Sequence, residues 1–192
     1  CGLEKAINNK DDASIETSIK KILLMQAHSF FIGGVPMLFY GDECGYTNDY
    51  SFLNDPGKSY DNRWMHRPVI DWKKNGRAEK AGTLEQKIFA ATRRLIQLRR
   101  DCFMVGDFKN LTWLTPHNIH IAGYLRTFED QRLYCLFNFK DKPSFLTWHV
   151  FKEHGVEPAV LYDRWQEQEY RVGFDHEYLV LEPYQFLLLE VR

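Results

Sequence analysis

The stretch "GGVPMLFYGDECG", residues 33–45, decides how this chain is read. Upstream of it, Ser14 is placed to cap a helix. Apolar residues then follow at Ile15, Ile19, Ile22, Leu23, Ala27 and Phe30, which is helical spacing. Gly33-Gly34 supplies a C-terminal stop. Met37, Leu38, Phe39 and Tyr40 are four bulky residues in a row. Apolar on consecutive positions, they predict a short strand buried on both faces, as in a parallel sheet. The strand would end at Asp42-Glu43, a carboxylate pair flanked by Gly41 and Gly45. A helix followed by a buried strand is half of a β/α repeat.

Beyond it, residues 45–82 are dense in Asp, Asn, Gly, Pro and Trp, and form a segment too long for a simple connection. Loops of that length in compact domains usually carry function. A second amphipathic helix is expected from Thr83 to Arg100. Leu84, Ile88, Ala91, Leu95 and Leu98 form its core stripe, and Arg93, Arg94, Arg99 and Arg100 its wet side. After Asp101 the period changes. Ile119–Arg126, Leu133–Phe139, Phe145–Val150, Ala159–Tyr162, Tyr178–Leu181 and Gln185–Val191 are short β-branched or aromatic runs. Turn signals such as Glu129-Asp130 and Lys140-Asp141-Lys142-Pro143 separate them. The expected fold class is α/β followed by all-β, with an antiparallel sandwich at the C-terminal end. The expected domains are residues 1–103, with the long loop 45–82, and residues 104–192.

Composition narrows the function. The chain has 192 residues, 44% hydrophobic and 27% charged, with a formal charge of −1. That balance, with no dense Lys/Arg run, speaks against nucleic acid or an anionic membrane as partner. No apolar run approaches the roughly 20 residues of a membrane span. Aromatics make up 15%, which suits a sheet core and also flat, stacking ligands such as sugars. Cys1, Cys44, Cys102 and Cys135 are scattered without a C-x-x-C pair, so they read as reduced thiols of a cytoplasmic protein. The opening "CGLEKAINNKDD" has neither the basic start nor the apolar core of a signal peptide, and position 1 is not Met. The expectation is a piece of something longer. No G-x-S-x-G, phosphate-cradling glycine loop or His/Cys dyad occurs.

Gly34-Val35-Pro36 with Tyr40-Gly41-Asp42-Glu43 resembles the eighth-strand motif of the α-amylase superfamily. The continuation "GDECGYTNDYSFLNDPGKSYDNRWMHRPVIDW", residues 41–72, resembles the loop after that strand in amylosucrases. "HIAGYLRT" (120–127), "LYCLFNF" (133–139) and "LEPYQFLLLEV" (181–191) resemble that family's C-terminal β domain. The likeness implies the terminal α–β–α portion of a (β/α)8 barrel plus an antiparallel β-sandwich. It implies transfer of glucosyl units from sucrose to an α-glucan by the retaining route, with an Asp nucleophile and a Glu acid/base. Nothing in this sequence matches the motifs of those two residues, so the chain alone is expected to be inactive and no catalytic residue is assigned.

The resemblance also assigns residues. Arg63 would pair with an Asp from an early barrel strand and close the base of the glucosyl pocket; a planar guanidinium holds a carboxylate bidentately. Tyr46, Asn48 and Asp49 could hydrogen-bond an acceptor, so Asp49 joins Arg63 as a substrate-binding candidate. Asp42, Glu43, Trp64 and His66 are structural residues near the pocket, with Arg67 bracing the same loop. Asp42 and Glu43 alternate in direction on a strand and cannot both face one bond. His117 and His120 flank a turn without further ligands, so no metal site and no cofactor are expected. The expected partners are sucrose and α-glucan in the intact enzyme and the missing N-terminal barrel portion; for the uncovered strand the alternatives are self-association, stabilisation by the β domain, or a rearranged barrel part. Two alternatives stand beside this reading. One is a sucrose hydrolase or other α-glucosidase of the superfamily. The other is a non-catalytic carbohydrate-binding module, with Trp113, Trp148 or Trp165 as stacking platform against their commoner use in packing.

Overall fold

The computed structural model describes residues 1–173 and 177–192. These group into two compact units: Cys1–Leu23 with Met37–Arg94, and Leu24–Pro36 with Leu95–Arg192.

In the first unit, α1 (Leu3–Asn9), the first half of α2 (Asp12–Phe31) and the first part of α4 (Leu84–Arg100) bury one apolar cluster. Leu3, Ile19 and Ile88 are its centre, with Ile7, Ile15, Ile22, Leu23 and Leu84 packed around them. The α2 cap is Asp11 rather than Ser14: the Asp11 carboxylate accepts the N–H of Ser14 at 3.0 Å and its hydroxyl at 2.7 Å. Thr83 caps α4, its Oγ1 accepting the N–H of Gln86 at 3.2 Å. Helix α3 (Trp72–Gly76) is a short turn in the long loop, started by Asp71, whose carboxylate accepts from the Lys73 and Lys74 amides.

The predicted strand Met37–Tyr40 does not form. Those residues have no regular secondary structure, and Met37 is 87% exposed where a doubly buried strand was expected. The reason is pairing. A strand needs neighbours to take its N–H and C=O groups, and every strand of the described residues lies at or beyond Leu111 and pairs antiparallel. With no parallel neighbour, the run is left at the surface.

The second unit contains a six-stranded antiparallel sheet in the order β1-β2-β3-β8-β5-β6. Its strands are β1 (Leu111–Trp113), β2 (Ile121–Phe128), β3 (Gln131–Asn138), β5 (Val160–Asp163), β6 (Gln168–Arg171) and β8 (Phe186–Val191). A two-stranded sheet pairs β4 (Ser144–Thr147) with β7 (Tyr178–Leu181). The β2–β3 hairpin runs in register from Ile121↔Asn138 to Phe128↔Gln131 and closes through Glu129 and Asp130, with Glu129 at φ 51°. The two sheets share one core: Leu136, Leu161, Leu187 and Leu189 of the large sheet bury with Leu146, Leu179 and Leu181 of the small one. The segment read as a strand over Phe145–Val150 divides. It is strand to Thr147, then a 3-10 turn over Trp148–Lys152 that drives Trp148, Val150 and Phe151 into that core.

Alternation along β2 and β3 sends Tyr124, Arg126, Cys135 and Phe137 to the sheet's other face, and these too are buried. The second half of α2 covers them. The His28 ring meets Tyr124 and Phe137 edge-on at centroid distances of 5.9 and 5.1 Å. Strand β3, buried on both faces, is the centre of this unit.

Candidate active-site loop

The long loop begins at a 3-10 turn over Asp42–Cys44, held between two left-handed glycines, Gly41 at φ 89° and Gly45 at φ 62°. Neither position admits a side chain. A Cβ on Gly41 would fall 2.8 Å from Tyr46 Cγ, and one on Gly45 would fall 2.7 Å from Ile88 Cδ1. Glu43 folds back so that its carboxylate accepts the N–H of Gly41 at 2.9 Å. Asp42 stands at the surface, where desolvation by the surrounding chain raises its carboxyl pKa, opposed by the Phe39 backbone and aided by the Glu43 charge. The two carboxylates therefore divide: Glu43 works on its own backbone and Asp42 is freer.

Tyr46 pins the loop across its base. Its hydroxyl bonds Asn75 Oδ1 at 2.7 Å and accepts the Asp71 amide at 2.8 Å. The ammonium of Lys74 lies 4.4 Å from the Tyr46 ring centre and donates to the Gly45 carbonyl at 3.0 Å. Burial lowers the Lys74 pKa.

A second knot uses α1. Glu4 accepts the Asn48 amide at 3.2 Å and the Tyr50 hydroxyl at 2.9 Å. Asn48 Oδ1 lies 3.1 Å from His66 Nδ1. Asp49 donates its N–H to Met65 at 2.8 Å, while its carboxylate accepts from Ser51, which lowers its pKa. The structure thus brings Asn48, Asp49 and His66 together, two loop segments crossing at one place.

Arg63 sits one turn away, in the 3-10 turn Asn62–His66. Its guanidinium takes Asp61, with Nε 2.9 Å and 3.0 Å from the two carboxylate oxygens and Nη2 2.8 Å from Oδ2. The side chain is 73% exposed. Among the described residues, no hydrogen bond joins Arg63 to Asp49, Asp42 or Glu43. Two cations, Lys58 and Arg67, lie 5.2 and 5.4 Å from the ring centre of Trp64. Sequence reasoning missed Glu4, Asp61 and Lys74 as anchors. Only Asp71-Trp72-Lys73-Lys74 carried a legible signal, an Asp cap ahead of a helical turn.

Among the described residues, no group of three or more His, Cys, Asp or Glu is placed to hold a metal ion. The four cysteines are unpaired as thiols, Cys1 exposed and the others buried. Trp148 is core and Trp165 packs on Phe186 at 5.1 Å, whereas Trp113 is 57% exposed on the edge strand β1. No helix of the described residues is long and apolar enough to cross a membrane.

No protein-family model matches the chain. Solved structures do match its fold. An Anoxybacillus α-amylase aligns with 90% of this chain at a TM-score of 0.62 and 15% identity. The fold is similar to that of part of this α-amylase. Geobacillus thermoleovorans α-amylase, solved with acarbose, aligns with 91% of the chain at TM-score 0.59 and 16% identity. Bacillus licheniformis trehalose-6-phosphate hydrolase aligns with 90% at TM-score 0.60 and 17% identity. The chain spans only 32–38% of the length of these three structures.

Proposed function

We propose that this chain is the closing portion of a sucrose-acting, retaining glucosyltransferase of the amylosucrase kind. In this reading the nucleophile and acid/base come from polypeptide beyond the residues described, and the chain by itself is inactive. Arg63 closes the base of the glucosyl pocket and Asp49 contacts the sugar or acceptor. Asp42, Glu43, Trp64 and His66 hold the loop in shape. Met37–Tyr40 is taken up as a barrel strand when its neighbours are present, and the protein works in the cytoplasm.

The build of residues 41–72 supports this assignment. A segment with the amylosucrase-like motif is tied at its base by Tyr46 and across its middle by Glu4, Asn48 and His66, yet leaves the Arg63 guanidinium exposed on a single local carboxylate. An exposed, pre-oriented guanidinium is ready to exchange Asp61 for another carboxylate. The α-amylase-type fold supports the wider class.

Substrate discrimination tests the choice. The chain joined to the polypeptide encoded ahead of Cys1 is supplied separately with sucrose, maltose and starch. Fructose release with glucan growth supports glucosyl transfer. Fructose with free glucose and no glucan favours the sucrose hydrolase. Action on maltose or starch without sucrose cleavage overturns the sucrose assignment. The exposed Trp113 favours a second reading, a carbohydrate-binding surface; maltooligosaccharide binding by calorimetry that is lost in Trp113→Ala would support it.

A further inference from the structure

The exit of α2 carries carbonyls that no helical N–H can reach. Arg99 donates Nη1–H to the Phe30 carbonyl and Nη2–H to that of Gly34, while Arg126 donates Nη1–H to Ile32 at 3.3 Å. The other arm of Arg126 holds the Asp107 carbonyl at 2.6 Å. All these residues belong to the second unit. Arg126 is wholly buried, and its Nε has no partner. A Cβ on Gly33, at φ 124°, would stand 3.5 Å from its Nη1, so the exit backbone lies directly on the guanidinium.

No carboxylate hydrogen-bonds either guanidinium among the described residues. Burial lowers both arginines, and the Arg126 charge lowers Arg99 further. Two neighbouring cations are held instead by the negative end of the α2 dipole, the place where cations are favoured. If the exit lifts away, Arg99 loses both of its acceptors, and the buried Arg126 loses that of its Nη1 and keeps only Asp107, an expensive state.

We propose that Arg99 and Arg126 form a latch that closes the α2 exit, residues 28–34, onto the six-stranded sheet, and that the exit opens locally when one arm is removed. The proposal does not rest on the activity proposed above. The chain runs from the latched exit directly into the exposed Met37–Tyr40.

Hydrogen exchange on the full chain tests it. The Ile32 amide, bonded to the His28 carbonyl at 3.0 Å, reports on the exit. In Arg99→Gln its exchange should accelerate about tenfold while the β3 amides keep their rates. Unchanged exchange at Ile32 overturns the latch, and equal acceleration through β3 overturns its local character. Arg99→Lys, which cannot reach two carbonyls, should fall between; full protection there contradicts the two-point grip. Arg126→Met should release the exit as well. Should that variant fail to fold, Arg99→Gln decides alone.

Discussion

The side-chain amide of Asn138, at the end of β3, donates to the Leu181 carbonyl of β7 at 3.0 Å. The same nitrogen reaches the carbonyls of Lys142 and Glu182 at 3.0 and 2.9 Å, and Oδ1 accepts the Lys140 amide and the Ser144 hydroxyl. Asn138 is fully buried and joins the two sheets through one side chain. Asn138→Leu should therefore destabilise the chain by roughly 3 kcal/mol, because buried carbonyls and amides lose their partner together. Urea unfolding followed by circular dichroism measures it. Asn138→Asp should be at least as harmful, since a carboxylate would face three carbonyl oxygens.

Gly45 and Gly82 separate steric crowding from backbone strain. Both have positive φ, but only Gly45 has Ile88 and Leu3 within reach of a new Cβ. Gly82→Ala should lose about 1 kcal/mol through φ alone, and Gly45→Ala about 2–3 kcal/mol. Equal losses in denaturant midpoints would show that the Ile88 contact yields freely.

His28 makes stability depend on pH. Burial lowers its pKa from the ordinary 6.5. The neighbours facing it are the rings of Tyr124, Phe137 and Phe139, and no carboxylate hydrogen-bonds it among the described residues. The unfolded chain therefore binds the proton more readily than the folded one. Stability from this group is complete above 6.5 and falls as pH drops below that value toward the lowered folded pKa. Denaturant midpoints at successive pH values should slope accordingly, and His28→Gln should flatten that part of the slope.

The Arg63 side chain is largely exposed and its partner Asp61 lies two residues away in the same turn, so their pairing adds little to folding. Arg63→Ala should leave the thermal midpoint where it is, while abolishing sucrose turnover in the longer protein. A variant that melts early would place Arg63 among the loop's structural residues instead.

Much of the β unit was legible because its strands alternate or run apolar, as in β2, β3 and β8. The edge strands β1 and β6 were not. Gln168-Glu169-Tyr170-Arg171 is almost entirely polar, and only its pairing with β5 makes it a strand. Helix α1 escaped because seven residues give too little period, and its importance lies in Glu4, a distant contact no local pattern records. Met37–Tyr40 misled for the opposite reason: its composition is that of a buried strand, but burial needs neighbours that these residues do not provide. In the loop, residue types were legible and partners were not. Asp61 takes Arg63 two positions along, a choice fixed by the 3-10 turn.

Fructose release from sucrose is measured for the purified chain, alone and joined to the polypeptide encoded before Cys1. The chain alone should release none, and the longer protein should release fructose that disappears in Arg63→Ala. Sustained turnover by the chain alone would contradict it, because the carboxylates that open the glycosidic bond would then lie among these residues.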